Sequence, residues 1–203
     1  YYDVKDGTDG ANTEYFNAGL NSTVLEGAQL SGGSRAVELG LITHKGTLSL
    51  ARKMLLGALL VTALLLYNSF LITGEIANAQ NALILGVTGG LLGYFYTARP
   101  IRLVSRRGLG EVAIFLAFGP VLTLGALFAI SSNTVELFST EFYNAIYLGI
   151  PFGFLTTNIL YINQYPDTIS DASTGKNHLI VTLGKKNARW GYLLLLSLSL
   201  IHI

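Results

Sequence analysis

Five aspartates fall in two short polar stretches at either end of an otherwise apolar chain. Asp3, Asp6 and Asp9 are spaced by three in the opening segment YYDVKDGTDGAN, and Asp167 and Asp171 are spaced by four in NQYPDTISDASTGK. Carboxylates beside membrane helices are costly unless something pairs with them. Clustered carboxylates with Lys and Arg close by suit Mg2+, which is ordinarily held by one or two carboxylates together with substrate phosphates. A spacing of four puts Asp167 and Asp171 on one helical face, and Asn163, four residues earlier, continues that face. Pro166 removes one backbone hydrogen bond within it. Gly7 permits a tight turn, so Asp3, Asp6 and Asp9 can converge on one ion. A solvated helix end and a polar terminal tail are the plainer accounts of each cluster taken alone. Two clusters together favour an enzyme that binds a diphosphate at a membrane surface. The opening segment matches an EF-hand loop poorly, because the later acidic ligands and the closing Glu are absent.

Basic residues supply the complement. The segment Tyr96–Glu111 (YTARPIRLVSRRGLGE) carries four arginines. Guanidinium forks suit phosphate oxygens, although a topological anchor would need no further purpose. Ser31-Gly32-Gly33-Ser34-Arg35 is a polar loop ending in a base, and its backbone N–H groups could cradle phosphate. GLGE is not a dinucleotide fingerprint, since no βαβ context surrounds it. The chain has no cysteine, which excludes disulfides and thiolate metal sites. Its three histidines, His44, His178 and His202, show no zinc-ligand spacing.

The elements that must position these groups are helical and membrane-spanning. Of 203 residues, 51% are hydrophobic and 12% charged, with a mean hydropathy of +0.49. Soluble domains carry about 25% charged residues. A span needs about 20 mostly apolar residues, and four segments qualify: 54–72, 81–98, 112–130 and 142–162, with a fifth beginning near Trp190. All 13 Lys and Arg lie before the first span, between the second and third, or after the fourth. The other two linkers carry Glu75, Glu136 and Glu141 and no base. Alternating spans therefore put every basic segment on one face, which the positive-inside rule makes cytoplasmic. Both aspartate clusters fall on that face. Segment 18–42 is expected to be a loop with one short amphipathic helix. Gly86/Gly90 and Gly89/Gly93 are overlapping GxxxG pairs, expected to pack tightly within the bundle. The net charge of +1 carries no information on nucleic acid, and no nucleic-acid partner is expected. No signal peptide is expected in the polar, acidic opening. The chain is expected to be a fragment that opens inside a motif and stops inside an apolar run. Leu198–Ile203 (LSLIHI) has the sequence a common library adapter would encode and is expected to be artefactual.

Taken together these segments resemble the UbiA superfamily of intramembrane aromatic prenyltransferases, in particular its branch that prenylates 1,4-dihydroxy-2-naphthoate in menaquinone synthesis. Tyr1-Tyr2-Asp3 through Gly7-Thr8-Asp9 match the later part of the family's first acidic motif. Asp167, Asp171, Gly175, Lys176, Leu179, Leu183 and Gly184 match the second. Between them, Ser31-Gly32-Gly33, Arg107-Gly108-Leu109-Gly110-Glu111 and Phe118-Gly119-Pro120 look like the naphthoate branch. Asn177-His178 and the doubled Arg106-Arg107 depart from the pattern. The resemblance covers nearly the whole chain. It implies an all-α polytopic bundle of nine helices in the parent, about five of them represented here, as one domain over 1–203 truncated at both ends.

The resemblance also implies a mechanism. Asp3, Asp9, Asp167 and Asp171, with Asp6 as a helper, would bind two Mg2+ ions that grip the diphosphate of a polyprenyl donor. Lys5, Arg35, Arg102, Arg107 and Lys176 would meet the remaining phosphate oxygens, Lys176 and Arg107 foremost. Tyr96 would stabilise the allylic cation by a cation–π contact, worth up to ~2 kcal/mol when desolvated, and Asn163 would orient a metal or the acceptor. The expected partners are polyprenyl diphosphate, an aromatic acceptor and the lipid bilayer, and the expected place is a bacterial inner membrane with the site on its cytoplasmic side. Another acceptor (4-hydroxybenzoate, homogentisate or a glycerol-phosphate lipid) is the nearest alternative. A transporter or structural membrane protein is the alternative of another class, although its polar groups would be expected at mid-membrane on broken helices.

Overall fold

A computed structural model of the chain describes residues 40–201 apart from Glu75, together with Lys5, Ala36 and Val37. Asp3, Asp6, Asp9, Arg35, the Ser31-Gly32-Gly33 loop and nearly all of segment 18–42 lie outside the described residues. The described residues are helical and contain no strand. In chain order the helices are α1 (His44–Thr73), α2 (Ala77–Thr97), α3 (Leu109–Leu116), α4 (Leu122–Ile130), α5 (Thr140–Asn163), the short α6 (Thr168–Ser173) and α7 (Leu179–Ile201). A 3₁₀ turn, Leu103–Ser105, sits between α2 and α3.

Local chemistry sets the ends. Thr43 caps α1, its hydroxyl accepting from the Gly46 N–H at 3.0 Å, and Gly74 ends that helix at φ 69, where a side chain would be strained. Ser139 caps α5 by accepting from the Phe142 N–H at 3.3 Å. α3 and α4 are two halves of one apolar span bent at Gly119 (φ −100, ψ −111) and Pro120. Pro has no N–H to continue the ladder, and Gly tolerates the break.

Three helical stretches are long and apolar enough to cross a membrane: His44–Ile72, Leu109–Ile130 and Thr140–Asn163. The chain is thus an integral membrane protein of helical type. The expected second span, 81–98, is present as α2 and has 21 residues. It is less apolar than the other three, because Asn78, Gln80, Asn81 and four glycines dilute its Leu and Ile. α1 presents Leu55, Leu56, Leu59, Leu60, Leu64 and Leu71 outward, the pattern of a lipid-facing or helix-facing surface.

The core lies where α4 and α5 meet α2, around Ala82, Leu124, Phe128, Val135 and Ala145. The helix backbones come closest at Gly119, Gly149 and Gly153. A Cβ on Gly149 would lie 2.5 Å from Thr123 Oγ1 and 2.8 Å from the Gly119 carbonyl carbon, and one on Gly153 would lie 2.7 Å from the Phe115 carbonyl oxygen. The α2 glycines behave differently from expectation. A Cβ on Gly86, Gly90 or Gly93 would meet nothing within 4 Å, and one on Gly89 only Val121 at 3.6 Å. Instead of a tight helix–helix seam, these glycines border apolar cavities of about 330 and 320 Å³. The physical reason is the kink: Gly119 and Pro120 bend the α3–α4 span toward α5, and the close approach is made there.

Candidate active site at the basic end of the bundle

The two ends of the bundle are tied by different contacts. At one, the fully buried Asn78 donates from Nδ2 to the Asn133 carbonyl (2.9 Å) and accepts from the Val135 N–H (2.9 Å), clamping the start of α2 to the α4–α5 loop. At the other, Arg102 Nη1 donates to the Thr174 carbonyl (3.4 Å), and the Leu179 N–H donates to Glu111 Oε1 (3.1 Å). The arginine-rich loop after α2 and the segment around α6 therefore meet at one end, as the charge pattern requires.

The turn that opens the site begins where α5 stops. Gln164–Asp167 separates α5 from α6, with Pro166 inside it. Asp167 precedes α6 and Asp171 lies in its first turn, the Asp171 N–H donating to the Asp167 carbonyl at 2.8 Å. The spacing of four thus holds for the two aspartates. It does not extend to Asn163, which is exposed at the end of α5 on the far side of the turn. The Pro166 break, expected to perturb one continuous helix, divides it into two.

Asp171 is the centre of the site, 7% exposed. Its Oδ1 lies 3.5 Å from Lys176 Nζ, and its Oδ2 lies 3.1 Å from His178 Nε2. The backbone closes the same loop: the Lys176 N–H donates to the Asp171 carbonyl at 2.8 Å, next to Gly175 at φ 75. A charge pair at this burial holds only with good geometry and further hydrogen bonds, and here the carboxylate has a cationic or donor group on each oxygen. Asp167 is half-buried.

Other expected residues are distributed unevenly. Arg102 is half-buried at φ 45, ψ 65, and reaches Thr174. Arg107 is exposed, while Arg106 Nε donates to the Ile101 carbonyl at 2.7 Å. Tyr96 is half-buried and lines the 320 Å³ apolar cavity with Gly93, Ala113, Ile114 and Phe118. Lys5 is exposed. Asp171, Lys176 and Arg102 are therefore brought together, whereas Arg107 and Asn163 stand outside that cluster. Among the described residues no group of three or more His, Asp or Glu side chains gathers as a metal site.

The sequence assigned no role to four residues that the structure buries. His178 is fully buried against Asp171, and Glu111 is buried with Oε2 lacking a hydrogen-bond partner. Gln164 and Asn158 are also buried, Gln164 with both amide atoms unpartnered and Asn158 with Oδ1 unpartnered. The available signals were the departure at Asn177-His178 and the lone Glu opening an apolar span. Tyr165, in the turn, has its phenol pushed above the ordinary range by burial, with Arg189 pulling the other way, and its ring lies against Tyr161, centroids 6.2 Å apart.

Residues 44–203 match the UbiA prenyltransferase family. The chain is 32% identical over 115 residues to a UbiA prenyltransferase domain-containing protein 1 of Dictyostelium discoideum, covering 56% of this chain and 32% of that protein. It is 32% identical over 130 residues to a chloroplastic 2-carboxy-1,4-naphthoquinone phytyltransferase of Arabidopsis thaliana, covering 61% and 34%. It is 29% identical over 160 residues to a 1,4-dihydroxy-2-naphthoate octaprenyltransferase of Haemophilus influenzae, covering 77% and 49%. The matches thus span a third to a half of these relatives' length. No solved structure matches the chain.

Proposed function

Because the chain belongs to the UbiA prenyltransferase family, we propose that its protein transfers a polyprenyl group from polyprenyl diphosphate to an aromatic acceptor, 1,4-dihydroxy-2-naphthoate, with Mg2+ as cofactor, at the cytoplasmic face of a bacterial inner membrane. The observation that carries this is the buried Asp171 carboxylate with Lys176 on one oxygen, beside Arg102, at the basic end of an apolar bundle. The acceptor is supported by two relatives whose names both specify a naphthalene-type substrate.

The donor set suits Mg2+. Asp167 and Asp171 offer hard carboxylate oxygens one helical turn apart, and a carboxylate has about four lone-pair sites, so Lys176 and His178 do not exhaust Asp171. Asp3 and Asp9, with Asp6, complete the proposed ligands. Bound there, Mg2+ supplies charge neutralisation for the diphosphate. Lys176 and Arg102 bind phosphate oxygens, joined by Lys5, Arg35 and Arg107. The allylic C–O bond breaks with its electron pair leaving on the diphosphate. Tyr96 faces the apolar cavity where the allylic cation is sheltered from water. The ring carbon bearing the carboxylate attacks, the new C–C bond forms, and the carboxylate departs as CO2.

The test is a panel of acceptors offered to the full-length protein in liposomes with labelled polyprenyl diphosphate. Prenylated naphthoate product, absent in Asp167→Asn and Asp171→Asn variants that insert normally, is the expected result. Product only from 4-hydroxybenzoate or homogentisate would replace the acceptor and leave the rest standing.

A further inference from the structure

We propose that His178 is a positioning residue that fixes the orientation of the Asp171 carboxylate toward the metal and diphosphate. The inference rests on Asp171 being a metal ligand, and it concerns a residue that the matched motifs do not contain.

Three observations carry it. His178 Nε2 lies 3.1 Å from Asp171 Oδ2, and the imidazole has no exposed surface. The other ring nitrogen, Nδ1, is buried with no hydrogen-bond partner. An unpartnered buried nitrogen is a cost that an apolar side chain filling the same space would not carry, and among the described residues the side-chain contact that offsets it is the one to Asp171. Finally, the ring hangs from a fixed backbone. The His178 carbonyl accepts from the Thr182 N–H (3.1 Å) and from Thr182 Oγ1 (3.0 Å), and the next N–H, of Leu179, is held by Glu111. A short Asp side chain ordinarily samples several rotamers. A rigid donor on Oδ2 leaves it one, and directs the remaining lone pairs and Oδ1 to the side where Lys176 stands. Groups that orient a ligand in this way typically change metal affinity about 10–100-fold.

The experiment is Mn2+ binding, followed by electron paramagnetic resonance with inorganic pyrophosphate present, on the full-length protein in detergent and on four variants. Asp171→Asn is expected to lose the site. His178→Leu is expected to weaken binding about 10–100-fold. His178→Gln, whose amide nitrogen replaces Nε2, is expected to recover most of that loss, and His178→Asn, one methylene too short, is not. Should the Leu variant fail to fold, the Gln and Asn pair, matched in unfolding midpoint, decides the same question. Parent-like binding in His178→Leu, or Gln no better than Asn, would overturn the positioning role while the loss in Asp171→Asn left the metal reading intact. Unchanged binding in Asp171→Asn would remove both.

Discussion

Asp171, Lys176 and His178 show what residue types reveal and what they hide. The acidic pair and the lysine were visible as a motif, because carboxylates and a base beside apolar spans demand an explanation. His178 was not, since a lone histidine in a polar linker has no pattern until its burial is known. Gln164 and Asn158 were hidden for the same reason, and the helical face read as shared by Asn163, Asp167 and Asp171 stops short of Asn163 because a spacing of four assumes a helix that the turn at Pro166 interrupts. Glu111 makes a separate, checkable contribution. Its Oε1 accepts from the first N–H of α7, so Glu111→Ala leaves that half-buried donor unmatched at a cost of about 1 kcal/mol. A lowered denaturant midpoint in Glu111→Ala, with Glu111→Gln near the parent, is the expected outcome.

At the scale of elements, the hydropathy pattern located the long helices among the described residues, since 20-residue apolar runs have few alternatives. It misplaced where they touch. Glycines in α2 look like a packing seam, yet the close contacts are at Gly119, Gly149 and Gly153; spacing alone cannot distinguish a glycine facing a neighbour from one facing a cavity. Two substitutions separate these. Gly149→Ala would force its Cβ within 2.8 Å of the Gly119 backbone, and overpacking of this kind costs about 1–3 kcal/mol. Gly90→Ala meets nothing within 4 Å, and its helix should gain about 0.5–1 kcal/mol from the lower unfolded-chain entropy. Thermal midpoints in one detergent, falling for the first and holding or rising for the second, would bear this out. The reverse order would mean that α2 provides the seam.

At the scale of the whole molecule, the charge pattern and the contacts agree on which loops share an end. Arg102 meets Thr174 at one end, and Asn78 meets Asn133 at the other. The chain has no cysteine, so single cysteines report topology without background. Cysteines replacing Arg106 and Lys186 should be labelled by an impermeant maleimide from the same side of the membrane, and one replacing Ser132 from the opposite side. The acidic and basic residues and the apolar spans support the proposed donor more directly than the proposed acceptor, because diphosphate recognition is written in charge and aromatic recognition in shape. The central claim is therefore tested most directly by following the acceptor's own carboxylate. With carboxyl-labelled 1,4-dihydroxy-2-naphthoate, polyprenyl diphosphate and Mg2+ in liposomes, labelled CO2 should appear only when the donor is present, and should vanish with EDTA and in Asp171→Asn. No CO2 and no prenylated product from a well-folded, membrane-inserted protein would contradict it.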